Sequence, residues 1–388
     1  MRYRGGVATA SRKSPTVVVY GGCGFFGRLV VNDLLDHTDA QFVIASRQSP
    51  RHPRSGPRLV HVRSDLNDIA SVRTTLAGAA VVVHCAGPYQ SQPPTLLRAA
   101  IESGVHYVDL AEDPEFVRQT LIFHEAAKRV HVAIVSGASV VPGLTALLAQ
   151  SLHFERADSI RTFVAPGTRG SRGLATVRSL LRGVGRPLPL LRGGRETVVR
   201  GWSEPEWIEF PPPIGWRLQY LAIATADRDV LSRELEARSI EFKAGSEFSW
   251  LNRSLGAVSR LTARSSFPSL ERWANTIRKC LKLLGWFGTD AGGVIVEVAG
   301  RLNNEPARQQ IAVTAAREGE RIPSLLAAIA AAALLRGELT ARGVVPLSTW
   351  LPTAQLFDEL CLRGLRVWLK QRPDVGWRLV NDTAEVRQ

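Results

Sequence analysis

The sequence predicts an α/β protein: an N-terminal Rossmann-type, doubly wound parallel sheet followed by a second, α+β domain. Three observations predict it. Short β-branched runs alternate with helical periodicity from Thr16 to about residue 145, a glycine-rich turn follows the first run, and beyond residue 146 strands succeed one another through loops and hairpins. Repeated strand–helix units with short connections favour a parallel sheet, because each crossover helix must cover one of its faces.

The elements follow in order. Thr16–Tyr20 is a β-branched strand, and a helix runs from about Phe25 to Leu35. Gln41–Ala45 and Leu59–Val62 are the second and third strands, and the next helix carries Ile69, Val72 and Leu76 on one face. Ala80–Val83 reads as a strand covered on both faces, since its residues are uniformly small or branched. A helix at Thr95–Ser103, a strand at Tyr107–Leu110, a helix from Pro114 to Arg129 and a strand at Val132–Val135 complete this unit. The division expected is a basic arm over 1–15, a dinucleotide-binding domain over 16–145, an α+β domain over 146–320, and C-terminal helices over 321–388 that pack back on the first domain. Within 146–320, strands are expected at 159–167, 198–210, 217–225, 239–248, 293–300 and 308–315, with helices at 171–183 and 269–287.

Composition narrows the class. Of the 388 residues, 45% are hydrophobic and 22% charged, as in a globular chain. The N-terminus has arginines but no apolar run of a signal peptide, and the longest purely apolar stretch, Leu325–Leu335, is too short to span a bilayer. Four scattered cysteines form neither a disulfide framework nor a zinc site, which suits a reducing cytoplasm. The formal charge is +14, concentrated in residues 1–63 and 161–200. Such a surface attracts phosphate groups, although the absence of an aromatic-interleaved basic motif argues against nucleic acid as a partner.

The strongest motif is Gly22-Cys23-Gly24-Phe25-Phe26-Gly27, set between the first strand and its helix. In this arrangement the first glycine permits the turn, the second admits a pyrophosphate against the backbone, and the third lets helix and strand touch. The helix N-terminus supplies N–H groups for the phosphates. An NAD site places an acid at the end of the second strand; here Ser46 and Arg47 stand there, with Arg51 and Arg54 following, which suits the 2′-phosphate of NADP over NAD. Asp65 suits an adenine contact or a helix cap near Asn67. The loop His84-Cys85-Ala86-Gly87-Pro88-Tyr89-Gln90 leaves the fourth strand at the switch point, where Ala86, Gly87 and Pro88 are expected beside the nicotinamide. Tyr89 is the first candidate for a catalytic polarising donor and Asp109 the second; both also suit structural roles.

Absences sharpen the reaction class. None of the five tyrosines has a lysine four residues on, which argues against short-chain dehydrogenase chemistry. All eight histidines lie at or before His153, so the second domain offers no histidine acid or base, and neither a metal-ligand spacing nor a nucleophile elbow is found.

The stretch from Val83 through Tyr89, Gly104–Leu110, Ser136–Ala138 and Pro142-Gly143 resembles the saccharopine dehydrogenase-like oxidoreductases, and Arg342–Pro346 resembles that family's closing segment. The resemblance implies a Rossmann domain, a second domain for substrate and dimerisation, NADP or NAD, and cofactor contacts from Gly22–Gly27, Arg47 and Ala86–Tyr89. The glycine loop departs from the Gly-x-Gly-Gly-x-Gly form of saccharopine enzymes, and no amino-acid-binding set is matched in 150–320.

Residues 269–287 place Leu270, Trp273, Ile277, Leu281 and Leu284 on one helical face and Arg272, Lys279 and Lys282 opposite, with Trp286 and Phe287 following. Two readings stand: a core-packed amphipathic helix, or a membrane-surface helix bringing a lipid-like substrate. Two functions stand as well: an NADP-dependent oxidoreductase acting on a lipid-like or imine substrate, or a non-catalytic NADP-binding redox sensor. The large second domain favours the enzyme.

Overall fold

The computed structural model describes residues 14–48, 56–170, 173–262 and 270–380. The β-branched runs form the strands, with helices between them: β1 (Thr16–Tyr20), α1 (Phe25–His37), β2 (Gln41–Ser46), β3 (Leu59–Arg63), α2 (Ile69–Leu76), β4 (Val81–His84), α3 (Thr95–Glu102), β5 (His106–Asp109), α4 (Pro114–Thr120), α5 (His124–Arg129), β6 (Ala133–Val135) and α6 (Thr145–Ser151). The helix expected over Pro114–Arg129 is two helices joined by a 3-10 turn at Leu121–Phe123.

The sheet order is β3-β2-β1-β4-β5-β6, and every pair is parallel. The chain winds outward from β1 in one direction and then from β4 in the other. The carboxyl ends of β1 and β4 therefore part at the switch point, the usual crevice for a ligand.

The second half comprises β7 (Arg156–Ala165), α7 (Leu174–Gly183), β8 (Pro187–Arg192), β9 (Arg195–Arg200), β10 (Ser203–Phe210), β11 (Gly215–Leu221), α8 (Asp227–Glu234), β12 (Ser239–Ala244), α9 (Ser249–Thr262), α10 (Ala274–Leu284), β13 (Gly292–Leu302) and β14 (Glu305–Ala315). Its sheet is mixed and mainly antiparallel, with β7 and β12 as a parallel pair. The strand expected over 198–210 is broken at Gly201–Trp202, and helices α8 and α9 occupy stretches where none was expected.

The C-terminal segment divides between the two sheets. Helix α11 (Ile322–Arg336) is buried on nearly every side and packs on α1, β4 and β5, as a helix apolar all round must. β15 (Gly343–Val344) pairs parallel with β6. After α12 (Thr353–Leu362), however, β16 (Arg366–Lys370) pairs with β14 and β17 (Arg378–Leu379) with β16, so residues 366–379 join the second sheet and do not fold back as helices on the first. One apolar cluster includes Val17 and Val19 of β1, the buried face of α11, Val296 of β13 and Val313 of β14, uniting the halves.

A buried ion pair also ties the C-terminal region to α1. The Arg363 guanidinium donates from Nε to both Asp33 carboxylate oxygens, at 3.0 and 2.9 Å, and contacts Glu359.

Candidate cofactor site and interdomain cleft

The glycine loop connects β1 to α1, but its glycines divide the work differently from the motif's usual account. The left-handed residue is Gly21, one position before the motif, with φ of +76°. A Cβ there would stand 2.7 Å from the Ala86 nitrogen, so the loops after β1 and β4 touch backbone to backbone. Gly22 leaves room for Ile44 of β2, whose Cγ2 would lie 2.9 Å from an added Cβ. Gly27 is the tightest: a Cβ would lie 2.2 Å from the Gly21 carbonyl oxygen, which is the close approach of helix to loop. Gly24 is exposed at the N-cap of α1, and no side chain caps that helix among the described residues. The first-turn N–H groups there are therefore free to meet an anion.

At the end of β2, the Ser46 hydroxyl donates to the Gln48 carbonyl at 2.7 Å, and Arg47 is exposed. Arg51 and Arg54 lie outside the described residues. Asp65 does not cap α2: its Oδ1 accepts from the Asn67 backbone and side-chain nitrogens, while Asp68 caps the helix by accepting from Ala70 and Ser71. The expected cap is thus displaced by three residues.

The facing wall is the loop after β4. Gly87 and Pro88 are exposed and Ala86 is partly so. The loop is pinned from within: the Gln92 side-chain nitrogen donates to the Ala86 carbonyl at 2.6 Å, and Gln92 Oε1 lies 3.0 Å from His84 Nε2. His84 Nδ1 lies 2.9 Å from the Tyr107 hydroxyl. Burial lowers the His84 pKa to about 4, leaving a neutral ring as a strut at physiological pH.

Tyr89 and Asp109, the candidate catalytic residues, are engaged in this scaffold. The Tyr89 hydroxyl donates to the His84 carbonyl at 2.7 Å and accepts from the Leu110 N–H at 3.3 Å; its ring packs on Phe116. Asp109 is fully buried and accepts from the Ala111 and Gly137 N–H groups and the Ser136 hydroxyl, at 2.8–2.9 Å. Both bind the β4, β5 and β6 ends together.

Glu112, which the sequence did not single out, is better placed. It follows β5, and its Oε1 accepts from the Ser179 hydroxyl of α7 at 3.1 Å. Its backbone carbonyl accepts from the Ala226 N–H at 3.0 Å, so two contacts from the second half of the chain converge on one residue. Burial raises the Glu112 pKa, with the Ser179 hydrogen bond opposing. The sequence signal was an acid two residues past a strand's carboxyl end; its partner is 67 residues away and was not legible.

The residues present fit a dinucleotide: an uncapped helix N-terminus, an exposed glycine at that point, an arginine at the end of β2, and a rigid exposed wall across the switch point. Comparison with known proteins agrees. Residues 17–137 match the family model described as the saccharopine dehydrogenase NADP binding domain. A saccharopine dehydrogenase-like oxidoreductase of Rattus norvegicus is 27% identical over 32% of this chain and 35% of its own length. A Mycobacterium tuberculosis protein named as a trans-acting enoyl reductase is 31% identical over 33% of this chain and 32% of its own. The matched segment thus spans about a third of these relatives. The fold is similar to that of apo saccharopine dehydrogenase (L-Glu forming) from Saccharomyces cerevisiae, with a TM-score of 0.62 at 13% identity over 92% of this chain and 99% of that one.

Proposed function

We propose, on the match of residues 17–137 to the saccharopine dehydrogenase NADP binding domain, that the chain is an NADP-dependent oxidoreductase whose chemistry takes place between the Ala86–Tyr89 loop and helix α7. The observation that carries this reading is the convergence of Glu112 and Ser179 from opposite sides at the carboxyl edge of the sheet, beside a site shaped for a dinucleotide. A sensor that only binds cofactor needs no second sheet closing on that edge.

NADPH, when bound, supplies a hydride to an electrophilic carbon. Glu112, whose burial favours its acid form, delivers the balancing proton to the neighbouring atom of the same double bond, and Ser179 holds the carboxyl group in place. Tyr89, His84 and Asp109 keep the loop fixed without touching the reacting atoms. The substrate class proposed is a conjugated C=C of a lipid-like enoyl compound, the class carried by the name of the mycobacterial relative; an imine is the competing class. A screen of enoyl thioesters and imines that follows NADPH oxidation tests both. Tight NADPH binding with no turnover on either class would favour the redox sensor.

A further inference from the structure

A second surface lies apart from the cofactor site and rests on different observations. Helix α10 turns Ala274 and Ile277 inward against Leu174, Val177 and Leu181 of α7, and Arg182 of α7 holds Glu271 through two hydrogen bonds at 2.8 and 3.0 Å. That seating fixes which face points out. Trp273, expected to share the face of Ile277, is instead half exposed, and Leu283 is 69% exposed. Trp286 and Phe287, on the turn that ends the helix, are each 83% exposed, far more than packing or solubility explains for two adjacent aromatics.

Helical spacing puts Trp273, Cys280, Leu283 and Phe287 in one outward stripe. Arg272, Arg278, Lys279 and Lys282 are all exposed around it, and the acid of this segment, Glu271, is held by Arg182. Trp250, near the start of α9, is also exposed, at 52%.

We propose that the outer face of α10 and the Gly285–Phe287 turn dock on an anionic lipid surface. Aromatics on a rigid turn enter the headgroup boundary, and the flanking cations meet lipid phosphates. A second copy of this chain fits poorly, because a twofold contact would bring the same cations face to face. Nucleic acid would use the aromatics for stacking but leave the Leu283 side of the stripe without a partner.

The test is co-sedimentation of the full chain with vesicles of phosphatidylcholine alone or mixed equally with phosphatidylglycerol. Binding to the mixed vesicles alone is expected, weakened about tenfold or more by Lys279→Glu/Lys282→Glu and by raised salt. Trp286→Ser/Phe287→Ser is expected to abolish it with the circular dichroism and melting temperature unchanged, since both residues are exposed. Failure to pellet with either vesicle, or binding that both variants leave intact, overturns the proposal. So does a dimer in sedimentation that Trp286→Ser/Phe287→Ser converts to monomer, or an oligonucleotide that competes with the vesicles.

Discussion

The Ser179 hydroxyl donates to the Glu112 carboxylate at 3.1 Å, joining the end of β5 to α7 across 67 residues of chain. If this pair delivers the proton, Glu112→Gln lowers kcat by roughly two orders of magnitude or more, in the range of general acid catalysis, and leaves NADPH affinity within about twofold. A raised pKa keeps the acid form present to higher pH, so reductive turnover falls as pH rises through it; that limb vanishes in Glu112→Gln. Ser179→Ala removes the bond that lowers this pKa, so the same limb moves to higher pH. A pH profile unaltered in both variants removes Glu112 from the chemistry.

Arg47→Ala separates the two nicotinamide cofactors. Arg47 is exposed at the end of β2, where the 2′-phosphate of NADP lies in this fold. Loss of a charge-assisted contact costs about 1.5–3 kcal/mol, so NADPH weakens by roughly ten- to a hundredfold while NADH stays level. Calorimetry recording equal losses for both cofactors contradicts the assignment.

The glycines make opposite predictions for binding and stability. At Gly24 an added Cβ meets one atom, the Gly21 carbonyl oxygen at 2.9 Å, on an exposed turn. At Gly27 it meets that oxygen at 2.2 Å and the Gly22 Cα at 2.7 Å, in a buried position. Gly24→Val therefore abolishes NADPH binding with a modest change in melting temperature. Gly27→Ala destabilises the domain by about 1–3 kcal/mol or more through overpacking. Equal melting temperatures for the two variants would show that the helix has room to retreat.

The sequence made the first sheet legible because its signals are local: a branched run, a glycine turn and a helical stripe each fall within a dozen residues. The lack of an acid after β2 was equally local. What escaped depends on distant partners. Arg366–Lys370 alternates like a strand, but only β14, more than fifty residues earlier, gives it a sheet to join. Trp273 had the spacing to share the face of Ile277, yet α7 seats the helix rotated away from it. Tyr89 and Asp109 were readable as polar groups at the right strand ends; that their hydrogen-bonding atoms are already engaged is visible only once β4, β5 and β6 are side by side.

Arg363 and Asp33, 330 residues apart, yield a stability prediction. The Arg363 side chain is fully buried and that of Asp33 nearly so. Arg363→Met strands a buried carboxylate and costs about 3–5 kcal/mol, whereas Asp33→Leu/Arg363→Met recovers most of that loss. Denaturant melts of the single and double variants check this; a double variant as unstable as the single one would locate the cost in packing of α12 and not in the unpaired charge.

Asp227 supplies the pH prediction. It opens α8 and is fully buried. Burial, only partly offset by Thr162, raises its pKa from 3.8 to about 8. In the unfolded chain the group loses its proton near the ordinary value, so between those two pKa values the folded state holds a proton that the unfolded state has released. Stability from this group is thus fully present below about pH 4 and is lost as pH rises to about 8, by at most about 1.4 kcal/mol per unit. Asp227→Asn keeps the shape and cannot ionise. The variant's stability advantage over the native chain should therefore widen steadily from pH 5 to pH 8 and level off above it. The comparison cancels other titrating groups, since both chains carry them. An advantage that stays constant across that range would mean that Asp227 ionises near its ordinary pKa in the folded protein.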